Sequence, residues 1–245
     1  MQVLSSNTIS DALLVSIPRL ASILPPDILE ALIAARDRET HERAKIVLDQ
    51  LVLNAQIANE DHVPICQDTG TVWLCLEVGP DIALNANVFS KVDQSVAAGF
   101  INSKLRKSVV RDALFDRTNT GDNTPAFCEL RLVDEPGVAR LHMMLKGGGS
   151  DNASRVVMLT PNAGKQGVID TVLSCVEEKA ANACPPLVVG VGVGGTFDKV
   201  AGLSKLALMR PLNVAAPDPE TAAFEQELLE AITVSYTHLT LPTIR

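Results

Sequence analysis

The short aliphatic runs in the middle and C-terminal parts of the sequence end on glycine or proline, and this limits what the chain can fold into. Thr71–Val78 closes on Gly79 and Pro80, residues 138–145 run into Lys146-Gly147-Gly148-Gly149-Ser150, and residues 187–193 run into Gly194-Gly195-Thr196. Runs of this length suit strands and are too short for helices. Elsewhere apolar residues recur at one-turn spacing. Ile28, Leu29, Leu32 and Ile33 follow Pro25-Pro26-Asp27, and Ala44, Val47, Leu48, Leu51, Ala55 and Ala58 form a stripe that His62-Val63-Pro64 ends. Further helices are expected over residues 87–105, over 164–181, after Thr196 to near Pro211, and over 221–233. The expected fold class is α/β: a helical N-terminal third followed by mixed sheet layers with flanking helices. Its glycines gather at strand ends, where such folds place ligands.

Residues 126–133 and 138–145 are strand candidates, and Asp134-Glu135-Pro136-Gly137 between them has hairpin chemistry. The triglycine after the second strand is expected to hold no regular element. Residues 187–193 read as a continuous strand in a sheet covered on both faces, with Gly190 and Gly192 allowing close strand–helix packing.

Composition narrows function. The 245 residues are 47% hydrophobic but only 3% aromatic, so the core is aliphatic, and the chain is too apolar to be disordered. The net charge of −8 argues against nucleic acid, which needs a basic face. No uninterrupted apolar run approaches the ~20 residues of a membrane helix. The N-terminus lacks a positive region and a cleavage site, so a cytoplasmic protein without membrane attachment is expected. Five scattered cysteines do not suggest a disulfide framework.

Four segments could carry chemistry. Cys66-Gln67-Asp68-Thr69-Gly70 sets a thiol beside an amide, a carboxylate and a hydroxyl at a helix-to-strand loop. It reads either as a metal or nucleophile site or as a tight turn. Cys184, in Ala183-Cys184-Pro185-Pro186, lies in a second such loop. Cys75 and Cys128 within strands, and Cys175 within a helix, read as buried filler. The backbone of Gly147, Gly148 and Gly149 could receive an anion. Thr118-Asn119-Thr120-Gly121-Asp122-Asn123-Thr124-Pro125 is a polar loop that a solvated turn would resemble, flanked by Arg106 and Arg117 as possible carboxylate clamps. His142, alternating within a strand, reads as a satisfied core or surface residue.

Together CQDTG, NTGDNTPA, KGGGSDN and ACPPLVVGVGVGG resemble, in order over residues 10–233, the iron–sulfur-dependent hydro-lyases. These are the class I fumarases and the alpha subunits of L(+)-tartrate dehydratase. The resemblance implies a carbon–oxygen lyase that uses a 4Fe-4S cluster with one open iron. Cys66 and Cys184 match two of its three ligand positions, and the third family position lies beyond this chain. It further implies Asp68 and Gln67 as catalytic residues, and Gln67, Arg106, Gly147, Gly148 and Gly149 as contacts to a small dicarboxylate. A beta subunit would supply the carbon base, in a homo- or hetero-oligomer. Fumarate–malate interconversion is the favoured expectation on the KGGGSDN loop, with L(+)-tartrate dehydration next. A third possibility is a non-catalytic truncated fragment or scaffold subunit lacking a full cluster. Residues 1–233 are expected to form the catalytic domain, incomplete at its C-terminus. Residues 234–245, VSYTHLTLPTIR, look like a translated sequencing adapter and are expected to be non-native.

Overall fold

The structure, a computed structural model, describes residues 2–235 and 243–244. In chain order the elements are β1 (Gln2–Leu4), α1 (Ser6–Ser22), α2 (Pro26–Arg38), α3 (Glu42–Asp61), β2 (Thr71–Val78), β3 (Ile82–Leu84), α4 (Val92–Asn102), β4 (Phe127–Leu132), β5 (Ala139–Lys146), α5 (Gly148–Asn152), α6 (Gly164–Lys179), β6 (Val188–Val189), α7 (Phe197–Ala207), α8 (Pro219–Ser235) and β7 (Thr243–Ile244). They form two compact units, Met1–Leu24 with Asn54–Gly148, and Pro25–Leu53 with Gly149–Arg245. The mixed α/β class with a helical N-terminal third is as expected.

The first unit is built on β2. Its alternate residues Val72, Leu74, Leu76 and Val78 are buried against Ile9, Leu13 and Ile17 of α1 and Val92, Val96 and Phe100 of α4. The α1 stripe recurs about every fourth residue, as one buried face of a helix requires. Ser5 caps that helix, its hydroxyl accepting from the Thr8 N–H at 3.3 Å. Gly99 lets α4 approach closely, since a Cβ there would sit 2.8 Å from Ile17 Cδ1. Residues 6–38 pass a membrane-span criterion on length and composition. The stretch is nonetheless broken between α1 and α2, and the α1 stripe lies in this core.

The sheet corrects the hairpin expectation. Its order is β4-β2-β5, with β2 parallel to β4 and antiparallel to β5. The Asp134-Glu135-Pro136-Gly137 connection therefore crosses the end of β2 instead of joining neighbours. It does so tightly: Gly79 N–H donates to Val138 O at 2.8 Å, and a Gly79 Cβ would lie 2.0 Å from Glu135 O. β2 takes the centre because it is the most thoroughly apolar strand and can be buried on both sides. Other differences are local. A short strand β1 pairs with β3, the expected helix over 87–105 starts only at Val92, and the triglycine opens a short helix, α5.

On the face of the sheet opposite the helices, Glu77 gathers three partners. Arg140 Nη1 lies 2.7 Å from Glu77 Oε2, His142 Nε2 lies 3.1 Å from the same oxygen, and Arg131 Nη1 lies 3.6 Å from Oε1. His142 is thus a satisfied sheet residue. Burial pushes the Glu77 carboxyl up, but the hydrogen bonds from Arg140 and His142 outweigh it and hold the group below its ordinary 4.5.

In the second unit, Ile169, Val172, Val176 and Ala180 pack with Leu228 and Ile232 of α8. The expected strand over 187–193 is reduced to β6, which pairs in parallel with β7. The glycines explain this, because they fit the chain against α7. A Cβ on Gly190 would lie 2.3 Å from Ser204 O, and one on Gly192 would lie 2.6 Å from Val200 O. The segment follows a helix closely and gains no longer strand partner among the described residues. Of the tail expected to be non-native, residues 236–242 and 245 lie outside the described residues, while α8 continues through Ser235.

A carboxylate with a lowered pKa stabilises the fold above its ordinary pKa, and that stability is lost as pH falls through the lowered value. The urea midpoint is therefore expected to drop as pH falls below about 4.5. Glu77→Gln should flatten that part of the profile, and an unchanged slope in the variant would remove Glu77 as its source.

Candidate active site

The first unit brings together four loops that the sequence spaces widely. The pairing of Thr71 with Lys146 sets the CQDTG loop, just before β2, beside the glycines just after β5. Gly70 makes the approach possible. Its φ is +68°, and a Cβ there would lie 2.3 Å from the Lys146 carbonyl carbon and oxygen. No other residue combines that torsion with that clearance.

Asp68 is the focus. Its Oδ2 accepts from Gly148 N–H at 2.8 Å, and its Oδ1 accepts from Gly70 N–H at 3.2 Å. Arg106 Nη1 stands 3.9 Å from Oδ1, with the guanidinium side chain 58% exposed and the carboxylate 27% exposed. Arg106 is itself anchored through its backbone, its carbonyl accepting from the Thr69 hydroxyl at 2.5 Å. Cys66 lies on the outer side of the same loop. Its thiol is 3.2 Å from Gln67 Oε1, and its sulfur accepts from Asp68 N–H at 3.4 Å. Cys66, Gln67, Asp68, Arg106 and Gly148 thus form one exposed polar group around a fixed carboxylate. The geometry narrows the anion-nest expectation, because the Gly148 N–H is already given to Asp68. Arg117 turns back on its own loop, donating to Ala113 O at 2.8 Å.

Asn123 is the residue that sequence reading missed. The polar loop, which a solvated turn would resemble, holds it at 0% exposure. Its Nδ2 donates to Gly70 O at 2.9 Å, and its Oδ1 accepts from Ser108 N–H at 2.8 Å. One amide therefore ties the loop of Asp68 to the loop of Arg106. Its φ of 66° lies in the left-handed region that asparagine tolerates better than most residues. Its signals in the sequence were an asparagine packed among turn formers and its place in the NTGDNTPA segment. Ser108 Oγ is buried beside this tie with no hydrogen-bond partner among the described residues, which makes it a further candidate polar contact.

The other cysteines divide cleanly. Cys75 is fully buried in β2, where burial and the nearby Glu129 push its thiol up to about 11. Cys128 lies on an exposed strand, contrary to expectation, yet local desolvation also pushes its thiol up to about 11. Burial raises Cys175 too, and its thiol donates to Ala153 O at 3.2 Å. None of these suits a thiolate ligand. In the second unit Cys184 is exposed, with φ 57° and ψ 70°, a left-handed conformation that costs an ordinary residue about 1 kcal/mol or more and tends to mark functional positions. There too Gly149 is pressed against the chain, where a Cβ would lie 2.5 Å from Asn182 O.

The donor chemistry of Cys66 and Cys184 fits an iron–sulfur group: both thiols are exposed, and a backbone N–H points at the Cys66 sulfur. Among the described residues no set of three or more ligating side chains stands together.

A profile of the fumarate hydratase (Fumerase) family matches residues 11–235. A putative L(+)-tartrate dehydratase subunit alpha from Methanocaldococcus jannaschii is 35% identical over 232 residues, covering 91% of this chain and 80% of that protein. L(+)-tartrate dehydratase alpha subunits from Escherichia coli and Shigella sonnei are 32% and 31% identical over 212 residues, each covering 85% of this chain and 69% of the relative. The chain belongs to the fumarate hydratase family of hydro-lyases.

Removing the Asn123 side chain leaves Gly70 O and Ser108 N–H without their partner. Asn123→Ala is expected to cost about 2 kcal/mol or more of unfolding free energy, read by urea titration. A loss near zero would show that water replaces the amide and that it does not join the two loops.

Proposed function

We propose that this chain is the alpha-type subunit of a hydro-lyase that interconverts fumarate and L-malate. The observation that carries the reading is the Asp68 carboxylate, fixed by two backbone N–H groups, with an exposed arginine at 3.9 Å and Cys66 two residues before it. Dehydration of a hydroxy diacid removes a proton from one carbon and hydroxide from its neighbour. Arg106 clamps a substrate carboxylate with its guanidinium fork. Gln67 orients the substrate through its amide. Asp68 exchanges a proton with the departing or incoming hydroxyl. Gly148 positions Asp68, and the family resemblance sets the backbone of Gly147 and Gly149 beside the dicarboxylate. The family resemblance gives Cys66 and Cys184 as thiolate ligands of a 4Fe-4S cluster, which would supply Lewis acidity toward the substrate oxygens. A beta subunit contributes the base for the carbon-bound proton, a reading supported by the "subunit alpha" in the relatives' names.

A second reading, L(+)-tartrate dehydration, is favoured by the names of those relatives and rests on the same residues. The KGGGSDN loop supports fumarate instead. Anaerobic loading with iron and sulfide in the presence of a beta subunit, followed by turnover assays on fumarate, L-malate and L(+)-tartrate, separates the two. Preferential fumarate hydration supports the first reading, and tartrate turnover alone replaces it with the second. A loaded complex inert toward all three eliminates both and leaves a scaffold role. In an active complex, Asp68→Asn is expected to lower kcat by about 10²–10⁴-fold. Arg106→Lys is expected to act chiefly on KM, because a lysine cannot reproduce the two-pronged contact.

A further inference from the structure

Among the described residues β4 has a strand partner on one side only, and its other side is suited to a second copy of itself. Val133 N–H donates to Val78 O at 3.0 Å, so by the alternation of a strand the odd-numbered residues of β4 bond toward β2. The backbone groups of Cys128, Leu130 and Leu132 therefore point outward. These residues are exposed, Leu130 at 47% and Leu132 at 82%, and Phe127 at the strand start is 53% exposed. A six-residue edge with exposed apolar side chains and no proline, lysine or bulge is the kind that soluble proteins normally protect.

The sequence of the strand says what covers it. Centred on Leu130, the order Cys128-Glu129-Leu130-Arg131-Leu132 is complementary to itself when run antiparallel. Leu130 meets Leu130 of the copy, Cys128 meets Leu132, and Glu129 meets Arg131. The even residues share the face of Leu74, Leu76 and Val78, so that face of the pairing is apolar. The odd residues share the other face, where two Glu–Arg pairs close, one on each side of the two-fold axis. The phase of the backbone agrees. Outward N–H and C=O groups at 128, 130 and 132 form hydrogen-bonded pairs, which leaves Glu129 and Arg131 at non-hydrogen-bonded positions, where side chains come closest.

We propose that two copies of this chain associate through β4, antiparallel and centred on Leu130, making one continuous sheet from two β4-β2-β5 sheets. The contact is isologous and closes on itself. It involves none of the residues given catalytic roles above, so it stands or falls independently of them.

The test uses the full chain with four substitutions, each variant checked first by circular dichroism and thermal melting. Glu129→Arg places arginines opposite arginines, and Arg131→Glu places glutamates opposite glutamates. Each alone is expected to weaken dimerisation about tenfold or more in sedimentation equilibrium. Mixed together they should form a heterodimer, because every pair is again of opposite charge. That recovery also separates the interface from the contact of Arg131 with Glu77 within one chain. Leu132→Cys places a thiol opposite Cys128 of the copy, at a Cα spacing that suits a disulfide. It should yield a linked dimer on mild oxidation, abolished by Cys128→Ser. A wild-type chain that stays monomeric at all concentrations overturns the proposal and leaves the edge to a different protein's strand. A dimer that ignores both charge variants, or that Leu132→Cys does not link, overturns it as well.

Discussion

The register of β2 against β5 is the constraint on which the rest of the first unit depends. Pairing Thr71 with Lys146 fixes where both strands end, and those ends carry the residues of the site. Asp68 reaches Gly148 only because the two chain segments turn away from the sheet at the same level. A slip of one residue would turn Val72, Leu74 and Leu76 away from α1 and α4. The burial of that aliphatic face therefore holds the register, and the register holds the site. Gly70 shows how little slack exists, since its α-hydrogen occupies space that no side chain could share with the Lys146 carbonyl.

The site is ordered from behind and open in front. Asn123 and Thr69 fix the backbones of two loops from the buried side. Arg106, Gln67 and Cys66 then lie exposed around Asp68, whose carboxylate is held by two backbone N–H groups. This division suits the proposed function, in which a small dicarboxylate would be held by its carboxylates. The buried ties hold the two loops in place, and the exposed side chains remain accessible to a ligand.

Much of this was legible in the sequence, for identifiable reasons. β2 was found residue for residue because an eight-residue apolar run between a glycine-ended loop and Gly79-Pro80 has one sensible reading. α6 and α8 followed from periodicity. Strand order was not legible. Turn chemistry between 133 and 138 is the same whether the chain joins neighbours or steps past a strand, and only competition for the centre of the sheet decides. The residues 187–193 were misread because apolarity alone does not distinguish a strand from an extended segment packed by its glycines on a helix. In the site, Asp68 and Arg106 were visible through the family resemblance, whereas Asn123 was hidden because turn and buried tie use the same residue types.

The position of β2 between β4 and β5 also sets a timetable for the newborn chain. β2 leaves the ribosome early, yet its parallel neighbour begins only at Phe127 and its antiparallel neighbour ends at Lys146. Until those residues emerge, the most apolar strand of the unit has α1 and α4 against one face and no partner along either edge. Such long-range pairing is slow to form and leaves strand edges open to other chains meanwhile. The order of synthesis thus makes the centre of the finished sheet its last part to be shielded, and places the greatest need for chaperone protection between the emergence of β2 and that of β5.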